Sequence, residues 1–295
     1  MLELSLPDAA FTDAAAATNG RWRATLDLRF EQRGERSVLA RREHSGPLRI
    51  LKPLYPEGDR VCHAVIVHPP GGIVGGDSLC TSVQVGEHAH ALITTPGTQK
   101  WYRSTGATAH SEIHANVFGA LEWLPQESML FDGARVAQSL RFDLSPQARF
   151  FGWEILCLGR SARGERFSSG QLHQRIELFR DAQPLWSEHT VLAGDDPLLN
   201  SPLGIGGLPV VATAWLATPL AERSDTQDAA WLTSVREVLA AHPMAAASAP
   251  APGLIVMKAV DSSAETVRNL LTAVWSKMRV AAFDTAAQLP RIWST

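Results

Sequence analysis

The stretch RWRATLDLRF, residues 21–30, alternates without a break: Trp22, Ala24, Leu26, Leu28 and Phe30 fall on one side, and Arg21, Arg23, Thr25, Asp27 and Arg29 on the other. A period of two marks a strand with one buried face. Strand-like runs continue at 61–68 (VCHAVIVH), 88–95 (HAHALITT), 111–118 (SEIHANVF), 120–124 (ALEWL), 136–144 (VAQSLRFDL), 148–159 (ARFFGWEILCLG), 171–179 (QLHQRIELF) and 185–193 (LWSEHTVLA). Turn residues separate them at short intervals, which predicts an all-β body rather than alternating strands and helices. Within it, VGEHAHALITTPG, VFGALEWLPQE and LSPQARFFGWEIL each run from a strand end through a tight Gly or Pro turn to an alanine and a new strand. Those alanines, Ala89, Ala120 and Ala148, lie about 30 residues apart. Near-equal spacing is what stacked β-coils produce, since each coil buries its face only against the next. A two-sheet sandwich gives a similar rhythm.

Helical periodicity is confined to the last third. In AAWLTSVREVLAA (229–241), Leu232, Val235, Val238 and Leu239 share a face. In SSAETVRNLLTAVWSKM (262–278), Val267, Leu270, Leu271, Val274, Trp275 and Met278 form an apolar stripe, and Ser262 with Glu265 reads as a capping box. HPMAAASAPAPG (242–253) reads as a Pro- and Ala-rich linker between them, and LIVMKAV (254–260) as a buried strand.

The 295 residues are 45% hydrophobic and 19% charged, a balance that folds rather than staying disordered. A net charge of −3 gives no basis for a nucleic-acid surface, which needs an excess of cations against phosphates. Three cysteines, Cys62, Cys80 and Cys157, form neither a disulfide framework nor a zinc knuckle. Residues 1–20 carry no Lys or Arg, unlike a signal peptide, and read as a flexible arm. No apolar run reaches the roughly 18–20 residues of a membrane helix. The expectation is a soluble cytoplasmic protein.

The loop HPPGGIVGGD (68–77) has the glycine spacing of a phosphate cradle at Gly71 and Gly76, but Asp77 stands where the cradle needs a lysine. Its glycines are expected to serve a tight corner instead. His88 and His90, as H-x-H in a strand, would share one face and could ligate a metal or could be a solvated polar face. His110 and His114 would stand roughly 13 Å apart along a strand, too far to act together. Glu122, Glu127 and Asp132 cluster in LEWLPQESMLFDGA. Glu154 sits among Phe150, Phe151, Trp153, Ile155 and Leu156, where a lone charge is costly. It must find a cation such as Arg160 or Arg103, a hydrogen bond, or a water-filled passage. No nucleophile elbow or HExxH is present.

The segments GPLRILKPLYPEG (46–58), CHAVIVHPPGGIVGGD (62–77), LITTPGTQKWYRS (92–104), LEWLPQESMLFDGA (121–134), GWEILCLGR (152–160) with GERFSSG (164–170), and LPRIWST (289–295) closely resemble the urease accessory protein family UreD, also called UreH. They follow the family's order over nearly the whole chain, with the insert around 242–253 as a local departure. The resemblance implies a scaffold, not an enzyme. Its fold would be mainly β, a two-layered β-helical, solenoid-like body with a few helices near the C-terminus, as one domain over 21–295. The implied partners are UreF, the GTPase UreG through UreF, and urease apoprotein subunits. No cofactor is held tightly; Ni2+ would pass transiently through a hydrated passage, for which Asp77, Thr95, Glu127, Asp132, Glu154 and Cys157 are the candidate contacts. The competing readings are a metal-dependent hydrolase using His88, His90 and a carboxylate, and a β-solenoid binding module unrelated to urease.

Overall fold

A computed structural model describes residues 21–219 and 224–294; the arm expected over 1–20 lies outside them. The first sheet runs, edge to edge, β14 (Gln183–Ala193), β13 (Gln171–Arg180), β11 (Arg135–Leu144), β8 (Ala109–Val117), β5 (Ser78–Val85), β1 (Arg23–Arg33) and β2 (Arg36–Ser45). The second runs β16 (Ala245–Ala251), β17 (Leu254–Asp261), β15 (Val210–Ala217), β12 (Arg149–Leu158), β9 (Ala120–Leu124), β6 (His90–Thr94), β4 (Cys62–Val67) and β3 (Arg49–Ile50). Two short strands, β7 (Gln99–Trp101) and β10 (Ser128–Leu130), pair beside β12.

From β4 to β13 the chain passes back and forth between the sheets. Each return lays a strand parallel to the one before it, giving β5, β8, β11 and β13 on one side and β4, β6, β9 and β12 on the other. The alanine spacing has its counterpart here. Ala120 stands in register with His90 and with Arg149, and its amide donates to the Ala89 carbonyl. The expected strands form, and LIVMKAV is β17.

Alternation follows exposure. On β1, Ala24, Leu26, Leu28 and Phe30 are buried between the sheets. Trp22, placed on the same face by the pattern, is 48% exposed: it precedes the strand, and its amide is taken by Asp77. β12 alternates nowhere, because both its faces are covered. Phe150 and Leu156 face the first sheet, while Phe151, Trp153 and Ile155 face a second core under the helices α1 (Asp225–Leu239) and α2 (Ala264–Phe283). Among the described residues no helix is long and apolar enough to cross a membrane.

Two local expectations change, and the glycine corner forms as expected. The supposed linker 242–253 contains β16, which pairs antiparallel with β17 at the sheet edge; Pro250 lies where the register shifts between Ser248 and Ala251, a place where a missing amide proton does no harm. α2 is capped by Ser263, whose side chain accepts from the Thr266 amide, while Ser262 turns to Asp261. The capping box of Ser262 with Glu265 is therefore not formed. The glycine loop is a corner: Gly76 has φ +96°, and a side chain on Gly72 would run into the Tyr102 ring.

Candidate functional site

The inward positions of the first sheet are mostly apolar, but one level is not. Ser111 on β8, Gln138 on β11, Gln174 on β13 and Thr190 on β14 are successive register partners. On the second sheet Glu154, Thr213 and Lys258 are likewise register partners across β12, β15 and β17. The two rows meet through side chains. Gln174 Nε2 donates to Gln138 Oε1 at 2.8 Å, and Gln138 Nε2 donates to Glu154 Oε1 at 3.4 Å. Lys258 Nζ donates to Thr213 Oγ1 at 3.0 Å and pairs with Glu188 of β14. A polar seam thus crosses a mostly apolar sandwich.

Two cavities flank it. The smaller, about 210 Å³, is lined by Gln174, Glu188, Thr190 and Thr213 together with Leu198 and Ile205. The larger, about 370 Å³, is lined by His68, Thr81, Thr95, Gln126 and Gln138 among others. Glu154 lines both, and it alone does so. Burial pushes its carboxyl up to about 8, with the Gln138 hydrogen bond as a minor opposing effect. The arginines expected as partners are engaged elsewhere, Arg103 with Asp132 and Arg160 with Glu165.

Of the other candidates, only Thr95 shares a cavity with Glu154; its hydroxyl accepts from the Gln126 amide at 2.9 Å. Asp77 is buried in the glycine corner, accepting from the Trp22 and Val74 amides at 3.0 Å each. Asp132 Oδ1 accepts from the amides and hydroxyls of Ser168 and Ser169, which hold its carboxyl below the usual range against the opposing effect of burial. Glu127 and Cys157 lie toward the helix-covered side of the second sheet. Glu127 pairs with Arg268 at 2.8 Å and accepts from Thr98. The Cys157 thiol is pushed up to about 12 by burial and by the Glu127 charge. No group of three or more His, Cys, Asp or Glu suited to one metal occurs among the described residues.

Sequence reasoning missed Gln138, Gln174, Glu188 and Lys258. The signal was there: in QLHQRIELF, Gln174 falls in phase with Leu172 and Ile176, and in LWSEHTVLA, Glu188 falls in phase with Trp186 and Leu192. It also missed a charged knot under α2. Glu122 lies in the middle of a strand rather than a turn and is wholly buried. Its oxygens accept from Arg279 at 2.8 and 2.9 Å and from the Trp275 indole, and His90 Nε2 lies 2.7 Å away. Arg279 continues to Glu57, which holds His63. His88 sits at φ +62° in the turn before β6, so the histidines share no strand face. With His90 bound to a carboxylate whose lone pairs are filled, the metal-hydrolase arrangement is not formed.

Residues 23–294 match the family described as UreD urease accessory protein. The chain is similar to the urease accessory protein UreD of Dechloromonas aromatica, 42% identical over 276 residues that cover 93% of this chain and 95% of that protein. It is also similar to those of Azoarcus sp. strain BH72, at 44% over 284 residues covering 96% and 97%, and of Pseudomonas fluorescens, at 40% over 283 residues covering 96% and 98%.

Proposed function

The chain belongs to the UreD family of urease accessory proteins, a non-catalytic family acting in urease maturation, and from that premise we propose that it conducts Ni2+ between its two sheets toward the urease active site. It does so bound to urease apoprotein and to UreF, and through UreF to the GTPase UreG, in the cytoplasm. Residues 21–295 act as one domain, whose alternating parallel strands are the coils of a two-layered β-helical body.

The observation that carries this reading is the position of Glu154 between the two cavities. A dry apolar core has no use for an enclosed carboxyl without a cation, since burial there is costly. A conduit does. Ni2+ accepts oxygen and imidazole donors, and transfer needs weak contacts in sequence, because a closed cage would trap the ion. Glu154, Gln138, Gln174, Thr95 and Thr213 offer spaced oxygens without a closed cluster. Asp77, Glu127, Asp132 and Cys157 act from the walls, holding the loops and sheet in place. Three cysteines outside any disulfide suit a reducing compartment.

The test is urease activation in cells carrying Glu154→Ala, alongside co-purification with UreF. Activation is expected to fall at least about tenfold, the effect of adding roughly 1.4 kcal/mol to the barrier of one step, while the complex with UreF persists. Normal activation by the variant would overturn the reading.

A further inference from the structure

A groove of about 960 Å³, lined by none of the residues of the polar seam, opens where β10, β12 and β15 meet the start of α2. Its floor is apolar: Met129 of β10, Leu158 of β12 and Val210 of β15, with Phe167 and Leu208 from the connecting segments. One wall is the turn between β12 and β13, which brings in Arg160, Arg163 and Arg166. Gly164 makes that turn possible, closing the short helical turn Ser161–Arg163 at φ +73°. The chain as a whole carries a net charge of −3, so three guanidiniums on one turn are a local reversal.

Only one acid lines the groove, and it is already engaged. Glu165 Oε2 accepts from Arg160 Nε at 3.1 Å, and Oε1 accepts from the Asp132 amide at 3.2 Å. Arg160 also lies over the Phe131 ring, 4.4 Å from its centroid. Asp132, the next acid along, accepts from Ser168, Ser169 and Arg103. Arg163 and Arg166 are exposed, and neither side chain has a hydrogen bond or an ion pair among the described residues. The start of α2 reaches the groove through Ser263 and Ala264, but the Ser263 side chain answers the Thr266 amide and the first turn holds Glu265. The positive charge here is that of the arginines.

We propose that this groove docks an extended segment of a partner protein that carries both acidic and aliphatic residues, its carboxylates meeting Arg163 and Arg166 and its aliphatic side chains lying on the floor. Charge complementarity selects this occupant. A guanidinium is weakly hydrated and takes a carboxylate through paired N–H donors. A small anion would need donors closing around it, whereas these arginines stand along one wall of an open groove. A nucleic acid would need a longer row of cations. Leu203, between the lining residues Asn200 and Ile205, is 93% exposed and gives the same segment a further apolar contact. Neither arginine lines a cavity beside Glu154, so the docking site stands apart from the conduit.

The experiment selects a random peptide library on the purified full chain and measures the selected peptides by fluorescence anisotropy. They are expected to share Asp or Glu interspersed with Leu, Ile or Val, and their affinity should fall as salt rises. Arg163→Glu with Arg166→Glu should weaken binding at least about tenfold, while Arg42→Glu, a charge reversal on the exposed β2, should change it by less than about twofold. Circular dichroism and urea midpoints show that each variant is folded, and Arg163→Gln with Arg166→Gln reads the same loss without reversing charge. Absence of an acidic consensus, or equal binding by parent and double variants, overturns the site. Displacement of the peptide by inorganic tripolyphosphate or by oligothymidylate at the peptide's own concentration overturns peptide docking in favour of a general anion site. Glu154→Ala should bind the peptides as the parent does, so failure of the groove and failure of the conduit are read separately.

Discussion

Glu154 and Glu122 are enclosed carboxyls on opposite faces of the same sheet, and their surroundings drive them in opposite directions. Around Glu154 burial prevails, and the group stays protonated up to about pH 8. Around Glu122 burial also raises the value, but the His90 hydrogen bond and charge and the Arg279 guanidinium outweigh it and bring the carboxyl down to about 2. The folded chain therefore binds a proton at Glu154 that the unfolded chain loses near 4.5, so this group's contribution to stability declines as pH rises from about 4.5 to 8 and is flat beyond. Glu154→Gln should remove that slope and raise the melting temperature relative to the parent at pH 8, as read by thermal unfolding across pH. Glu122 behaves inversely: its contribution is complete above about 4.5 and is lost as pH falls toward 2. Glu122→Gln leaves Arg279 under-compensated and should cost about 3–5 kcal/mol in urea unfolding. Glu154 was legible because its neighbours are apolar on both sides of it. The knot was not, since no sequence rule links Glu122 to an arginine in line with the apolar residues of a helix.

At the scale of elements, α2 is held by its cap and its buried stripe. Ser263→Ala should lower stability by about 1 kcal/mol, whereas Ser262→Ala should leave the urea midpoint unmoved; equal effects would place the cap wrongly. Strands with one wet face announced themselves through alternation, and β12 through its unbroken apolar run. β16 gave neither signal: alanines and prolines carry little β propensity, and its pairing is imposed by β17 beside it. His88 failed for a related reason. The residue pattern placed it in a strand, but the chain turns there through a positive φ that sequence spacing does not reveal.

Over the whole molecule, two cores of different character share the second sheet. The core between the sheets is interrupted by the polar seam, and the one under the helices is closed by the charged knot. Gln138→Leu cuts the seam where Gln174 and Glu154 meet; the chain should stay folded while urease activation falls, so unaltered activation would show that the seam serves packing alone. The knot carries a consequence for how the protein is made. Arg279 joins Glu122 from 157 positions later and Glu57 from 222 positions later. At about 5–20 residues per second, a ribosome needs on the order of 10–45 s to travel from Glu57 to the arginine. Throughout that interval Leu92, Leu124, Phe151 and Trp153 emerge without the cover that α2 later supplies, so the nascent chain is at its stickiest just before it is finished.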